Sequence, residues 1–187
     1  GNTTTETITA TAKVDTITGG SGASTISAGA GGDTINLNAA NTQTDLRLGD
    51  GSDVIALSGA LTVTTGGSIQ GGAGADIISG AANNVIGGAS FLMGAGKDTI
   101  TFSASIVSGL INMGGGADVV TFDSRDSSNN ATIKGGAGGD AIDLAGNLTA
   151  GIVQLGDGSD NLTISASNIT KTGAILGGAG ADIISGN

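Results

Sequence analysis

The pentapeptide Gly-x-Gly-x-Asp occurs eight times in register, ending at Asp33, Asp53, Asp76, Asp98, Asp118, Asp140, Asp160 and Asp182. Successive aspartates lie 20, 23, 22, 20, 22, 20 and 22 residues apart. The fixed glycines are Gly29 and Gly31, Gly49 and Gly51, Gly72 and Gly74, Gly94 and Gly96, Gly114 and Gly116, Gly136 and Gly138, Gly156 and Gly158, and Gly178 and Gly180. Two residues after each Asp comes an aliphatic side chain: Ile35, Ile55, Ile78, Ile100, Val120, Ile142, Leu162 or Ile184. One such pentapeptide means little in a chain with 37 Gly among 187 residues; eight aligned copies with the same follower are not chance. A fixed period in the twenties is the mark of a solenoid, in which each repeat is one turn of a coil.

The residues within a repeat describe that turn. In Ile133–Leu144, Ile142 and Leu144 alternate with Ala141 and Asp143, a period of two that predicts a short strand with one face inward. Equivalent inward pairs are Ile35 and Leu37, Ile55 and Leu57, Ile100 and Phe102, Val120 and Phe122, and Leu162 and Ile164, while Gly80 and Gly186 take the second position in their copies. A returning strand ends at Leu46, Ile69, Phe91, Ile111, Ile133, Val153 or Ile175, two residues before the next Gly-rich turn. Leu48, Met93, Met113 and Leu155 at the first turn position are expected to point inward as extra core. Further apolar positions, Leu61, Ile106, Leu148 and Ile169, fall near loose polar bends expected at 58–68, 80–90, 123–132 and 166–174. The bends vary in length and so absorb the uneven gaps, and the stretch from Asp123 to Asn130 is expected to protrude. The prediction is an all-β, right-handed parallel β-roll or β-solenoid of about 8–9 turns, each of roughly 20–23 residues, forming a rod about 40 Å long. Residues 1–16 are expected to be an N-terminal strand or linker, and 17–187 the solenoid, expected to continue beyond the chain because its last residues, Asp182 to Asn187, complete a motif with no capping element.

Composition narrows the chemistry. There is no Cys, His, Trp, Tyr or Pro, so no disulfide, imidazole or thiol chemistry is available. The net charge is −10, and the six basic residues (Lys13, Arg47, Lys97, Arg125, Lys134 and Lys171) are scattered, which makes nucleic acid a poor partner. No apolar run reaches the length of a membrane span, so no membrane insertion is expected. Half of the sixteen acids are the ladder aspartates. Stacked one strand spacing apart, unneutralised carboxylates repel and raise each other's pKa. A hard cation held by carboxylate and turn carbonyl oxygens removes that repulsion, and calcium suits such a flexible oxygen cage better than magnesium. The metal-free alternative is a solenoid whose Asp side chains only cap turns by hydrogen bonds.

The copies at 71–79 and 177–185 read Gly-Gly-Ala-Gly-Ala-Asp-Ile-Ile-Ser, and 135–143 reads Gly-Gly-Ala-Gly-Gly-Asp-Ala-Ile-Asp. These segments resemble the RTX (hemolysin-type) calcium-binding nonapeptide family, over roughly 17–186. The resemblance implies a parallel β-roll with calcium between successive turns, held by the carbonyls of the paired glycines and the Asp carboxylates named above. In that family nonapeptides come in tandem, giving Gly-rich turns on both edges. Here only Gly19–Ser24, nine residues before the Asp33 turn, and the altered segment 79–87, with Asn84 at the Asp position, hint at a second edge. One row of about seven calcium ions is therefore expected, one between each pair of successive turns. Asp50 and Asp157 at the third turn position add outer carboxylates.

Asp45, Asp123, Asp126 and Asp143 read as solvated acids, and the Asn-x-Thr triplets at Asn130, Asn147, Asn161 and Asn168 as products of composition. The Thr pairs 62/64 and 99/101 do not recur at one repeat position, which disfavours an ice-binding face. Regular repetition of carboxylates argues against a unique catalytic pair, so no enzyme is expected. The composition, acidic and rich in Thr, Ser, Ala, Gly and Asn, is similar to that of bacterial S-layer proteins. The expected function is a calcium-binding structural region at the surface of a bacterial cell, self-associating into a lattice or filament, with surface polysaccharide as a candidate partner. The alternative is a calcium-triggered folding module of an exported RTX toxin, enzyme or adhesin.

Overall fold

A computed structural model of the chain describes residues 6–19, 24–37, 41–58, 61–80, 88–103, 108–123, 130–145, 150–165 and 173–186. Each of these segments is one strand, one Gly-rich turn (or its counterpart) and a second strand. In chain order the pairs are β1 (Glu6–Thr9) and β2 (Thr16–Gly19), β3 (Ser24–Ala30) and β4 (Thr34–Leu37), β5 (Asn41–Asp50) and β6 (Val54–Leu57), β7 (Leu61–Ala73) and β8 (Ile77–Gly80), and β9 (Ala89–Ala95) and β10 (Thr99–Phe102). They continue as β11 (Ser108–Gly115) and β12 (Val119–Phe122), β13 (Asn130–Ala137) and β14 (Ala141–Leu144), β15 (Ile152–Asp157) and β16 (Asn161–Ile164), and β17 (Ala174–Ala179) and β18 (Ile183–Gly186). The odd strands form one nine-stranded parallel sheet and the even strands another, so the chain is a parallel β-solenoid without helix among the described residues.

The core is the slot between the two sheets. In-register pairing stacks like on like: Ile35 faces Ile55, Ile100 faces Val120, Phe102 faces Phe122, and Ile111 faces Ile133. The predicted inward pairs are all buried, as are the returning positions from Leu46 to Val153. Leu48, Met93, Met113 and Leu155 are completely buried, as expected of extra core. Burial of each such side chain contributes about 1.5–3 kcal/mol. Phe91 meets Phe102 edge to face, and Phe102 stacks on Phe122, each pair with centroids 5.9 Å apart. These rings form a single aromatic seam in an otherwise aliphatic interior.

One bend reading needs correction. Residues 61–68, assigned to a loose bend, belong to β7, whose start pairs with β5 through Asn41↔Leu61, Thr42↔Thr62 and Gln43↔Val63. The register then jumps, so that Asp45 faces Ser68. The longest repeat thus places its extra residues in a bulge around Gly66 rather than in the bend between coils. Residues 80, 89–90, 130–132 and 174 likewise belong to strands. Apart from 58, 88, 123 and 173, the rest of the loose-bend assignments lie outside the described residues, as do the apolar positions Ile106, Leu148 and Ile169, the centres of the Gly19–Ser24 and 79–87 turns, Arg125, Asp126, Lys171, Asn147, Asn168 and the side chain of Leu61. Asp45 is not simply solvated: it accepts a hydrogen bond from the Ser68 hydroxyl at 2.8 Å. Asp123 and Asp143 are exposed. The threonine pairs 62/64 and 99/101 lie in different sheets.

Candidate metal sites

The Gly-rich turns join each odd strand to the following even strand and so stack along one edge. All sixteen predicted glycines have positive φ, between +100° and +151°. Stacking makes glycine necessary there for a second reason. A Cβ on Gly114 (φ +100°) would overlap the Gly94 carbonyl oxygen of the preceding turn. Next to it, Gly115 has ordinary φ, and its nearest neighbour would be the Ala137 carbonyl at 4.0 Å. Gly114→Ala is therefore expected to destabilise the folded chain by about 3 kcal/mol. Gly115→Ala should be neutral or stabilising by less than about 1 kcal/mol. Thermal melting of the two variants checks this, and equal midpoints would contradict the stacking constraint.

Each ladder aspartate from Asp33 to Asp160 binds the stack together twice. Its carbonyl accepts from the amide that opens the next even strand, as in Val54 N–H to Asp33 O at 2.8 Å. Its Oδ1 reaches back to the amide of the preceding aspartate. Asp33 N–H donates to Asp53 Oδ1 at 2.6 Å, Asp76 N–H to Asp98 Oδ1 at 2.8 Å, Asp98 N–H to Asp118 Oδ1 at 2.7 Å, and Asp160 N–H to Asp182 Oδ1 at 3.2 Å. The turns are tied further by the fourth-position amide, which donates to the third-position carbonyl of the next turn, as in Gly96 N–H to Gly115 O at 2.8 Å. Asp50 and Asp157, the third-position acids, expose their side chains while their carbonyls accept bonds of this kind. The hydrogen-bond capping expected of a metal-free solenoid thus exists, but it uses only half of each carboxylate.

The other half is left over. Oδ2 of Asp33, Asp53, Asp76, Asp98, Asp118, Asp140 and Asp160 is buried and has no hydrogen-bond partner. These seven residues are at most 2 % exposed, whereas Asp182 in the last turn is only partly buried. Where the first turn position is Gly, Oδ2 lies against it: a Cβ on Gly71 or Gly135 would stand 2.5 Å from the Oδ2 of Asp76 or Asp140. Burial pushes the Asp76 carboxyl up to about 6; the Asp53 amide bond opposes this, and the neighbouring Asp98 and Asp53 carboxylates add to it. Burial likewise raises Asp53, Asp98, Asp118 and Asp140, against the pull of the amide that each accepts.

An orphaned, buried carboxylate oxygen at each of these seven rungs fits a hard cation, because an isolated buried charge is costly and oxygen is the donor such cations prefer. Among the described residues no three acidic side chains converge, so carbonyl oxygens must complete any such site. The carbonyls of the paired glycines point along the stack toward the glycines of the following turn, placing them at the same edge. Every predicted site residue is therefore brought into one file.

The sequence reading missed a ninth rung. Residues 10–15 occupy the turn position between β1 and β2, and Asp15 takes the Asp place: its amide donates to Asp33 Oδ1 at 2.8 Å, and its carbonyl accepts from Thr34 N–H at 2.9 Å. Thr11 and Lys13 stand where other turns have Gly, which hid the rung from a Gly-x-Gly-x-Asp search. The available signal was the spacing of Asp15 from Asp33 together with the Ile17 follower. The Thr11 hydroxyl, then its amide, holds the Asp15 carboxyl below the usual range, with Lys13 adding to the effect.

The family model of the RTX calcium-binding nonapeptide repeat matches the chain in four copies, over residues 1–42, 68–89 and 174–187. No curated protein matches the chain. No solved structure matches it either. The turns with Leu48, Met93, Met113 or Leu155 at the first position lie outside the matched segments, yet they share the same positive-φ glycines and the same amide-to-Oδ1 rung. The chain is thus similar in these segments to the RTX calcium-binding nonapeptide repeat, and it winds them into a parallel β-solenoid.

Proposed function

We propose that the chain is a calcium-stapled scaffold segment of a secreted or cell-surface bacterial protein, of the S-layer or surface-filament kind. The observation that carries this reading is the file of seven buried Oδ2 atoms without a donor. Asp33, Asp53, Asp76, Asp98, Asp118, Asp140, Asp160 and Asp182 would hold the ions with the carbonyls of the glycine pairs before them. A bound calcium ion supplies the positive charge that these carboxylates otherwise lack. The residues themselves fix the spacing: glycines let the turns approach, and the Asp amide-to-Oδ1 bonds set each carboxylate between two coils. In the sequence the Gly-x-Gly-x-Asp motif recurs once per repeat and not in the segments that link one repeat to the next, so metal would rigidify one edge and leave the other free to vary. That division suits a scaffold rather than a catalyst.

Equilibrium dialysis with metal analysis at neutral pH tests the site, with an expected uptake of about seven calcium ions per chain. Uptake of one ion or none would remove the proposal. The scaffold role is tested separately by sedimentation and electron microscopy, with calcium-dependent filaments or sheets expected. A chain that stays monomeric at high calcium would leave calcium binding standing and remove self-association.

A further inference from the structure

The turn at residues 10–15 keeps the backbone stacking of the other turns but not their chemistry. The Thr11 carbonyl accepts from Ala30 N–H at 3.3 Å and sits where a Cβ on Gly29 would strike it, as the glycine carbonyls do elsewhere. Yet Asp15 Oδ2, the atom orphaned in the seven rungs that follow, has two donors: the Thr11 amide at 2.9 Å and the Thr11 hydroxyl at 2.7 Å. It is also not buried as those atoms are, and Lys13 occupies the fourth turn position close enough to act on its charge.

We propose that the turn 10–15 is a built-in stop for the ion row, in which Thr11 and Lys13 serve the Asp15 carboxylate in place of a cation. This inference rests on the calcium reading above. A carboxylate with two donors and a nearby ammonium gains little from a metal ion, and an incoming cation would meet the Lys13 charge. The Thr11 side chain forms the closing hydrogen bond that glycine at that position cannot make. The first coil is then folded and charge-balanced without calcium, and it presents the Asp15 amide and carbonyl as a preformed edge for the Asp33 turn. The ion row runs from the Asp33 turn onward.

The test is an ion count by equilibrium dialysis on the full chain, comparing wild type, Asp15→Asn and the double variant Thr11→Gly/Lys13→Gly. The double variant turns residues 10–15 into a motif turn and is expected to take up one more calcium ion than wild type. Asp15→Asn is expected to bind as many ions as wild type, with unchanged affinity. Loss of an ion in Asp15→Asn would show that the turn is an ordinary site and would overturn the inference while leaving calcium binding intact. An unchanged count in a folded double variant would also overturn it. Should the double variant not fold, the Asp15→Asn count still decides. No calcium uptake by wild type would instead remove the calcium reading, and this inference with it.

Discussion

Chelation at pH 7 is expected to abolish the β-sheet circular dichroism signal, and excess calcium to restore it. The magnitudes decide this. A carboxylate buried without countercharge costs several kcal/mol even after relaxation. Seven rungs carry such an oxygen, and a domain of this size has only about 5–15 kcal/mol of net stability to set against them. Stacked aliphatic side chains cannot offset that sum once the cations are gone. Acid offers a second route to neutrality. Asp76 has a folded pKa near 6 against an unfolded value of 3.8, and Asp53, Asp98, Asp118 and Asp140 are shifted in the same direction. The metal-free folded chain therefore binds more protons than the unfolded chain across that window. Its stability is greatest below the unfolded value and is lost as pH rises toward the folded one. Calcium binding runs the other way, because its ligands must be deprotonated. The chelated chain should thus keep more β-structure near pH 4 than at pH 7, while calcium affinity should fall as pH drops below about 6. A β-sheet signal at pH 7 that chelator leaves untouched would show that the fold does not depend on metal.

Most of the solenoid was legible because its determinants are local and repeated. Alternation such as Ile142–Leu144 names a strand and its inward face, and the Gly pairs name the turn. Register followed from the repeat itself, since stacking like on like is the only arrangement that buries every ladder at once. What escaped depends on departures from the repeat. The 23-residue gap between Asp53 and Asp76 gave a length but not its location, because a bulge inside β7 and a longer bend satisfy the same count. The rung at Asp15 was invisible to a glycine pattern, since Thr11 closes that turn with its own side chain. The division of labour within each carboxylate was also hidden. Sequence places an Asp at each turn, but only geometry shows that Oδ1 is taken by the preceding amide and Oδ2 is not.

Asp98→Ala is expected to weaken calcium binding at the two gaps flanking its turn by more than about tenfold each, which is about 1.4 kcal/mol per site. The chain between Asp76 and Asp118 shows why two sites should respond. Asp98 Oδ1 is held by the amide of the turn before it, at 2.8 Å, and the Asp98 amide holds the carboxylate of the turn after it, at 2.7 Å. Asp98 thus borders both gaps, with its carboxylate on the Asp76 side and its amide on the Asp118 side. Alanine would also leave the buried Asp76 amide without its acceptor, costing about 1.5–3 kcal/mol for a bond to a charged group. Asp98→Asn separates the two effects. The amide side chain keeps an oxygen for the Asp76 N–H but removes the buried charge. In chelator near pH 4, where the metal-free chain keeps β-structure, the Asn variant should be at least as stable as wild type and the Ala variant less so. In calcium both should bind more weakly than wild type at the same two sites. Calorimetry at neutral pH resolves the ion number and affinities, and melting in chelator near pH 4 resolves the rest. Unchanged ion number and affinity in both variants would rule out a carboxylate shared between neighbouring sites. A loss confined to one site would instead assign each aspartate to a single gap, with the amide-to-Oδ1 bond serving only to align the coils.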